Sequence, residues 1–360
     1  MIRKNHFLIF LAVLLFTFQA YAQGDRKDKT AVTYEEIYDE PYSINKLFVQ
    51  IQPLYGDLFA TNVNAGFGLE TTYYQKDKFD IHAAFRKSYS QKFYDFTRDL
   101  AVKNSTVDNR AQVFTYYELG GTYHIKDFEQ SSKTKMFLFK NSYKGNKWAA
   151  RVPLSAEIPC KVRKIYGVRL GGIVWNSSVD VNRALAKQKL TMDQLKTADG
   201  ISLPDTLVMN GESRQMNAFT NIYTINGYVG GSITWIRNVA VNFDKFEEGI
   251  DDLILTAYFD ILVAPSIKLD DVYYTGSNEK NPGNPDVVGT NIYKVSPIKT
   301  QSFGFRAGLE GKFNRTWGWS YGGEVGYRPG IQGQGFYALI KIAFPVFSTN
   351  LDYKVESFGK

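Results

Sequence analysis

Cysteine is almost missing from this chain of 360 residues: Cys160 stands alone. No intramolecular disulfide can therefore staple the fold. Its alternate neighbours Ala156 and Ile158 put it on an apolar face near a strand end, where a small buried or lipid-facing hydrophobe is expected rather than a nucleophile. Histidine is nearly as scarce, with 3 in all, and only His82 and His124 lie beyond the first residues. Two histidines without a ligand spacing make no zinc site. There is no P-loop, no dinucleotide motif after a strand, and no regular acidic spacing of a calcium loop even around Asp286. No cofactor or metal is expected. The formal charge of +7 is a mild excess with no basic block interleaved with aromatics, so a nucleic-acid partner is not expected. Past the first residues, no run approaches the roughly 20 apolar residues of a membrane helix.

The one long apolar run is at the start. Arg3 and Lys4 supply positive charge, Phe7 to Phe18 is apolar, and Ala20-Tyr21-Ala22 fits a small-x-small cleavage site. This reads as a secretory signal peptide over 1–22, with Gln23 the new N-terminus. The following residues 23–45 are polar and charged and read as an extended tail, in which Glu35, Glu36, Asp39 and Glu40 alternate with tyrosines.

Aromatic residues are abundant, at 15% with 24 Tyr and 26 Phe, and there are 30 Gly. Both facts favour strands with bulges and tight turns. Alternation is clearest from Gln301 to Phe347. Phe303, Phe305, Ala307 and Leu309 share one face there, opposed by Arg306, Glu310 and Lys312, and the next segment opposes Val325 and Tyr327 with Glu324 and Arg328. A strand with one apolar face and one charged face is the unit of a transmembrane β-barrel, whose mean hydropathy looks soluble because only alternate residues meet lipid. Here that mean is −0.28.

The same pattern recurs at 47–51, 63–73, 79–86, 113–126, 224–236 and 253–263. Segments 148–161 and 166–174 read as two strands joined by a tight turn at Val162 and Arg163. With short turns on one side and long loops (91–110, 181–216, 270–299) on the other, parity requires one more strand at Lys133–Lys140. The fold expected is thus all-β, a transmembrane antiparallel up-and-down barrel of about twelve strands over 46–348, ten or fourteen being the neighbouring counts. A short tail occupies 349–360. Ala184 to Thr197 has helical spacing, with Thr191 as an N-cap candidate.

At this point the chain resembles the Gram-negative outer-membrane β-barrel class, particularly the Tyr- and Gly-rich barrels common in Bacteroidota. The resemblance covers about Leu47 to Phe347, and the final strand GFYALIKIAFPVF is similar to the assembly signal of that class. It departs from the signal in that Pro345 interrupts it and Ser348 to Lys360 follow it. The resemblance implies location in the outer membrane, among its lipids, with long loops outside the cell.

The pore-lining candidates follow from the phase of each strand: Glu70, Asp80, Arg86, Glu118, Arg151, Glu157, Arg169, Asp260, Arg306, Glu310, Glu324, Arg328 and Lys341, with Lys126 and Lys312 on the same face. Buried charges need partners or water, so they imply either a hydrated channel or an interior filled by ion pairs. Three functions follow in order. The first is a narrow, non-catalytic channel for small polar solutes. The second is an accessory subunit of a surface or secretion complex, binding a protein partner through the extracellular loops. The third is an outer-membrane phospholipase using His82 or His124 with Ser88, Ser90 or Ser155, for which no motif fixes a pair.

Overall fold

The computed structural model describes residues 33–59, 63–75, 78–89, 102, 104–140, 154–209, 212–281, 284–315 and 318–349. In chain order the strands are β1 (Tyr34–Asp39), β2 (Leu47–Phe59), β3 (Val63–Gln75), β4 (Phe79–Ser88), β5 (Thr115–Leu138) and β6 (Leu154–Asp180), followed by helix α1 (Val181–Gln188). Then come β7 (Thr206–Met209), β8 (Glu212–Gln215), β9 (Phe219–Ile236), β10 (Val239–Phe243), β11 (Gly249–Asp251) and β12 (Leu253–Leu269). The last are β13 (Val272–Asn281), β14 (Asn284–Tyr293), β15 (Thr300–Gln301), β16 (Phe303–Phe313), β17 (Ser320–Tyr327), β18 (Gly330–Ile331) and β19 (Phe336–Thr349).

Ten strands close into one antiparallel barrel in the order β2-β3-β4-β5-β6-β9-β12-β16-β17-β19, and β19 pairs back onto β2 from Tyr337↔Phe59 to Thr349↔Leu47. Closure leaves the barrel no free edge. Every barrel strand alternates in the sense opposite to a water-soluble barrel. Leu119, Leu170 and Ile340 are more than 60% exposed on the outer wall, while Arg86, Arg169, Asp260, Arg306 and Glu324 are buried inside. The outer wall is therefore a continuous apolar belt, and aromatic rings mark its margins. Trp319 and Phe313 tilt together near one end; Phe336 is exposed near the other. Trp317, expected among these rings, lies outside the described residues.

The count corrects the expectation of twelve. β5 runs for 24 residues and β6 for 27, unbroken. Lys133–Lys140 is not an added strand but the far half of β5, and Val162–Arg163 is not a turn but mid-strand in β6. Both misreadings have one cause. At about 3.3 Å per residue, β6 is roughly 90 Å long, far more than the span of the belt. Its far half leaves the barrel wall and enters a second environment, so the alternation changes phase. A bulge between His124 and Lys126 and two consecutive buried residues, Val162 and Arg163, mark the change. Merging the strands in pairs leaves the parity intact. The strand ends Gln75, Phe79, Phe313 and Ser320 share one end of the wall with Leu47 and Thr349, and Ser88, Thr115, Asp180, Phe219, Leu269 and Phe303 share the other.

Past the short-turn end, the far halves of β5 and β6 pack on a three-stranded sheet, β1-β10-β11. Met136, Ile158, Cys160, Val162, Val241 and Phe243 form the core of this small sandwich. Burial pushes the Cys160 thiol up to about 11, so it stays a protonated hydrophobe at neutral pH. The stretch 23–45, read as a polar tail, contributes β1 to this sheet. The open edge of β6 is protected in two ways: Pro159 has no N–H to offer, and the Lys161 N–H donates to the Asp39 carboxylate at 2.8 Å.

At the long-loop end, α1 starts at Asp180, whose side chain accepts from the Arg183 N–H. The helix is shorter than the spacing suggested and stops at Gln188; Thr191 heads only a three-residue 3₁₀ turn and makes no side-chain cap. Val181, Leu185, Leu195, Leu203, Val272 and Tyr293 of these loops join Trp175, Leu262 and Leu339 of the barrel in one buried core. The long loops are thus folded down into the barrel mouth.

Candidate functional site

The interior is organised around Arg306 of β16. Its Nε donates to Asp260 Oδ2 of neighbouring β12 at 2.8 Å, and its Nη2 reaches across the lumen to Glu118 Oε1 of β5 at 2.6 Å. Nη1 adds Glu118 Oε2 at 3.1 Å and Glu324 Oε2 of β17 at 3.5 Å. The guanidinium also lies over the Tyr228 ring, 4.4 Å from its centroid. Arg169 pairs with the other oxygen of Asp260 at 3.0 Å and stacks on Tyr258. Four tyrosines complete the cluster: Tyr116 donates to Glu118, Tyr258 and Tyr337 both donate to Glu324, and Tyr228 bonds His82. Planar forked donors facing carboxylates in a water-poor interior make the strongest charge-assisted bonds a protein has.

Glycine makes room for these rings. Gly120 and Gly171 stand on the inner face where Tyr228 lies flat against the wall, and a Cβ at Gly171 would come within 2.5 Å of the Tyr228 ring. Gly308 does the same for Tyr258.

Toward the short-turn end the network continues. Arg86 Nη2 meets Glu70 at 3.0 Å, and Lys341 Nζ bridges Glu70 at 2.5 Å and Glu310 at 2.6 Å. His124 meets Asp80 at 3.1 Å. Toward the long-loop end, Arg328 pairs with Asp57 at 2.7 Å and covers the Tyr337 ring. Between the Arg306 cluster and the short-turn end lies a polar cavity of about 70 Å³, bordered by Gln50, Thr72, Asp80, Thr256, Glu310 and Lys312. At roughly 10–15 Å³ per water it holds about five. The Gln50 amide nitrogen on its wall is buried and has no partner among the described residues.

Eleven of the expected residues are thereby on the inner face: Glu70, Asp80, Arg86, Glu118, Arg169, Asp260, Arg306, Glu310, Glu324, Arg328 and Lys341. Glu157 is not. It projects into solvent from the far half of β6, because that half is outside the barrel. Lys126 is likewise turned outward by the adjacent bulge and lies over Phe128. Arg151 falls outside the described residues. Sequence reasoning missed Asp57, Tyr116, Tyr228 and Tyr337. Tyr116 shares the parity of Glu118 and Tyr337 that of Lys341, so strand phase carries the signal, but the candidates are confined to charged side chains. His82 is bound by Glu118 and Tyr228, His124 by Asp80, and neither bonds a serine among the described residues. Ser88 sits 3.4 Å from the Tyr55 hydroxyl, and Ser155 is exposed on the sandwich. Ser90 lies outside the described residues.

No family model matches this chain, and no curated protein matches it. Among solved structures it is similar to one described as the high pH structure of Pseudomonas putida OprB, at 12% identity over 86% of this chain and 94% of that one, with a TM-score of 0.16. So low a score leaves the fold to rest on the strand pairing above. A closed all-β antiparallel barrel with a polar interior is compatible with a channel.

Proposed function

We propose that the chain is an outer-membrane β-barrel, closed at rest, that acts without catalysis as an accessory subunit of a surface or secretion complex. The inverted polarity supports the membrane: large apolar side chains cover the outside, ion pairs fill the inside, and lipid is the solvent that such a surface matches. The signal-type N-terminus and the short turns at the terminal end support a reading with the sandwich in the periplasm and the long loops outside. One observation carries the non-conducting part of the reading. The Arg306 cluster ties opposite walls together, and the loop core fills the mouth beyond it. What remains are two folded platforms, a loop dome and a periplasmic sandwich, on the two sides of one membrane.

The test is planar-bilayer recording of the purified protein together with its isolation from native membranes after mild crosslinking. No conductance steps and a stoichiometric partner are expected. Regular steps from the unmodified protein would replace this reading with the second one, a narrow channel for small polar solutes, which the polar cavity favours.

A further inference from the structure

On the short-turn side of the cavity below Arg306, the segment that enters the barrel, residues 40–46, packs Ile44 in one cluster with Ile254 of the cavity wall. This segment crosses the mouth as a strap held at both ends by asparagine side chains. At one end Asn238, in the link between β9 and β10, donates through Nδ2 to the carbonyls of Glu40 at 3.0 Å and Ser43 at 2.8 Å. At the other, Asn314, in the turn between β16 and β17, accepts the Asn45 N–H at 2.7 Å and donates to the Ser43 carbonyl at 3.1 Å. Asn238 and Asn314 therefore grip the same short span from separate parts of the rim. Between them Ile44 is 7% exposed and packs with Phe48, Ile165, Ile236 and Ile254. Those four are inner-face residues of β2, β6, β9 and β12, and β2 stands across the barrel from β9. A single apolar cluster spanning opposite walls is a stopper. Ile254 belongs to both this cluster and the cavity wall, so the stopper adjoins the cavity.

We infer that residues 40–46 form a releasable strap, with Ile44 as its stopper, and that access to the polar cavity is from the short-turn end under its control. The two ends of the barrel are closed by different means. The dome is a large apolar core, which opens only at the cost of exposing many buried side chains. The strap is held by a few hydrogen bonds, the stacking of Arg163 on Tyr42 and the burial of Pro41 and Ile44, far less apolar contact than the dome has, and segments with few buried apolar contacts open first. β1, which precedes the strap directly, is paired to β10 of the sandwich, so whatever engages the sandwich acts on the strap through a short covalent link. This rests on the membrane reading only for calling that side periplasmic.

The experiment uses the full chain in detergent micelles, so membrane placement and conductance do not enter. In a Cys160→Ser background, Thr256→Cys places a thiol on the cavity wall, and the rate of its modification by a trimethylammonium methanethiosulfonate is measured. Releasing the strap with Asn238→Ala plus Asn314→Ala should raise the rate roughly ten-fold or more, since several hydrogen bonds are lost at once. Ile44→Gly should do the same. Leu195→Ala, which loosens the dome core, should leave the rate unchanged. Thr72→Cys serves as a second reporter on the same cavity, and heat-modifiable gel mobility shows that each variant keeps its barrel. Equal rates with the strap intact and released overturn the inference. So does acceleration by Leu195→Ala alone, which would put access at the opposite end.

Discussion

Arg306 shows how much of the interior depends on one side chain. It is 1% exposed and is the shared partner of Glu118, Asp260 and Glu324, which come from three different strands. Replacing it with methionine keeps the bulk and removes the charge, leaving three carboxylates crowded together in a poorly hydrated space. Loss of one partner from such a buried group costs about 3–5 kcal/mol. We expect Arg306→Met to lower urea stability in phospholipid vesicles by that order, and Arg306→Met with Glu118→Gln to lose less than the sum of the two changes. Additive losses would show that the two side chains do not act as a unit. At this scale the sequence told which face most of the charges of the barrel wall occupy, because strand parity is local; it failed for Lys126 beside a bulge and for Glu157 beyond the wall. It could not tell which charges meet: Arg306 and Glu118 are 188 residues apart, and only barrel closure brings them together.

The β5–β6 pair is the element that departs most from its sequence reading. Burial alternates on either side of 126–132 and of 162–164, in phases set by different surroundings, the belt on one side and the sandwich core on the other. A polar run between two alternating runs has the composition of a turn, and local pattern alone cannot tell a turn from a strand that passes from one environment into another. The three-stranded sheet was less legible still, since β1 and β10 are short and pair over about 200 residues of intervening chain. The physical division suggests separable stability. Val241 is fully buried in the sandwich core. Val241→Asp should open the sandwich and make Glu129–Leu138 sensitive to trypsin at Lys133 and Lys135, while the barrel keeps its heat-modifiable mobility. Joint loss of both would mean that the barrel needs the sandwich in order to stand.

For the molecule as a whole, the decisive property is that its polar and apolar surfaces are exchanged relative to a soluble protein, with a different folded cap at each end. Ile201 in the long-loop end and Ile250 in β11 are both exposed, 48% and 43%. In cells carrying the Cys160→Ser background, Ile201→Cys should react with a membrane-impermeant maleimide added outside, and Ile250→Cys only after the outer membrane is permeabilised. The reverse pattern would invert the topology. The seam of the barrel has a further consequence, in the order of synthesis. β2 is made early but its partner β19 is made last, and Asn45 and Ser348 meet across 303 positions. Every strand of the sandwich precedes Asp252, so this small sheet can form while the closing strand is still to come. With β1 fastened to β10, the first barrel strand is tethered at the site where the last must arrive. The sandwich is then a holding clamp for the assembling barrel, and its removal would slow closure more than it weakened the finished wall.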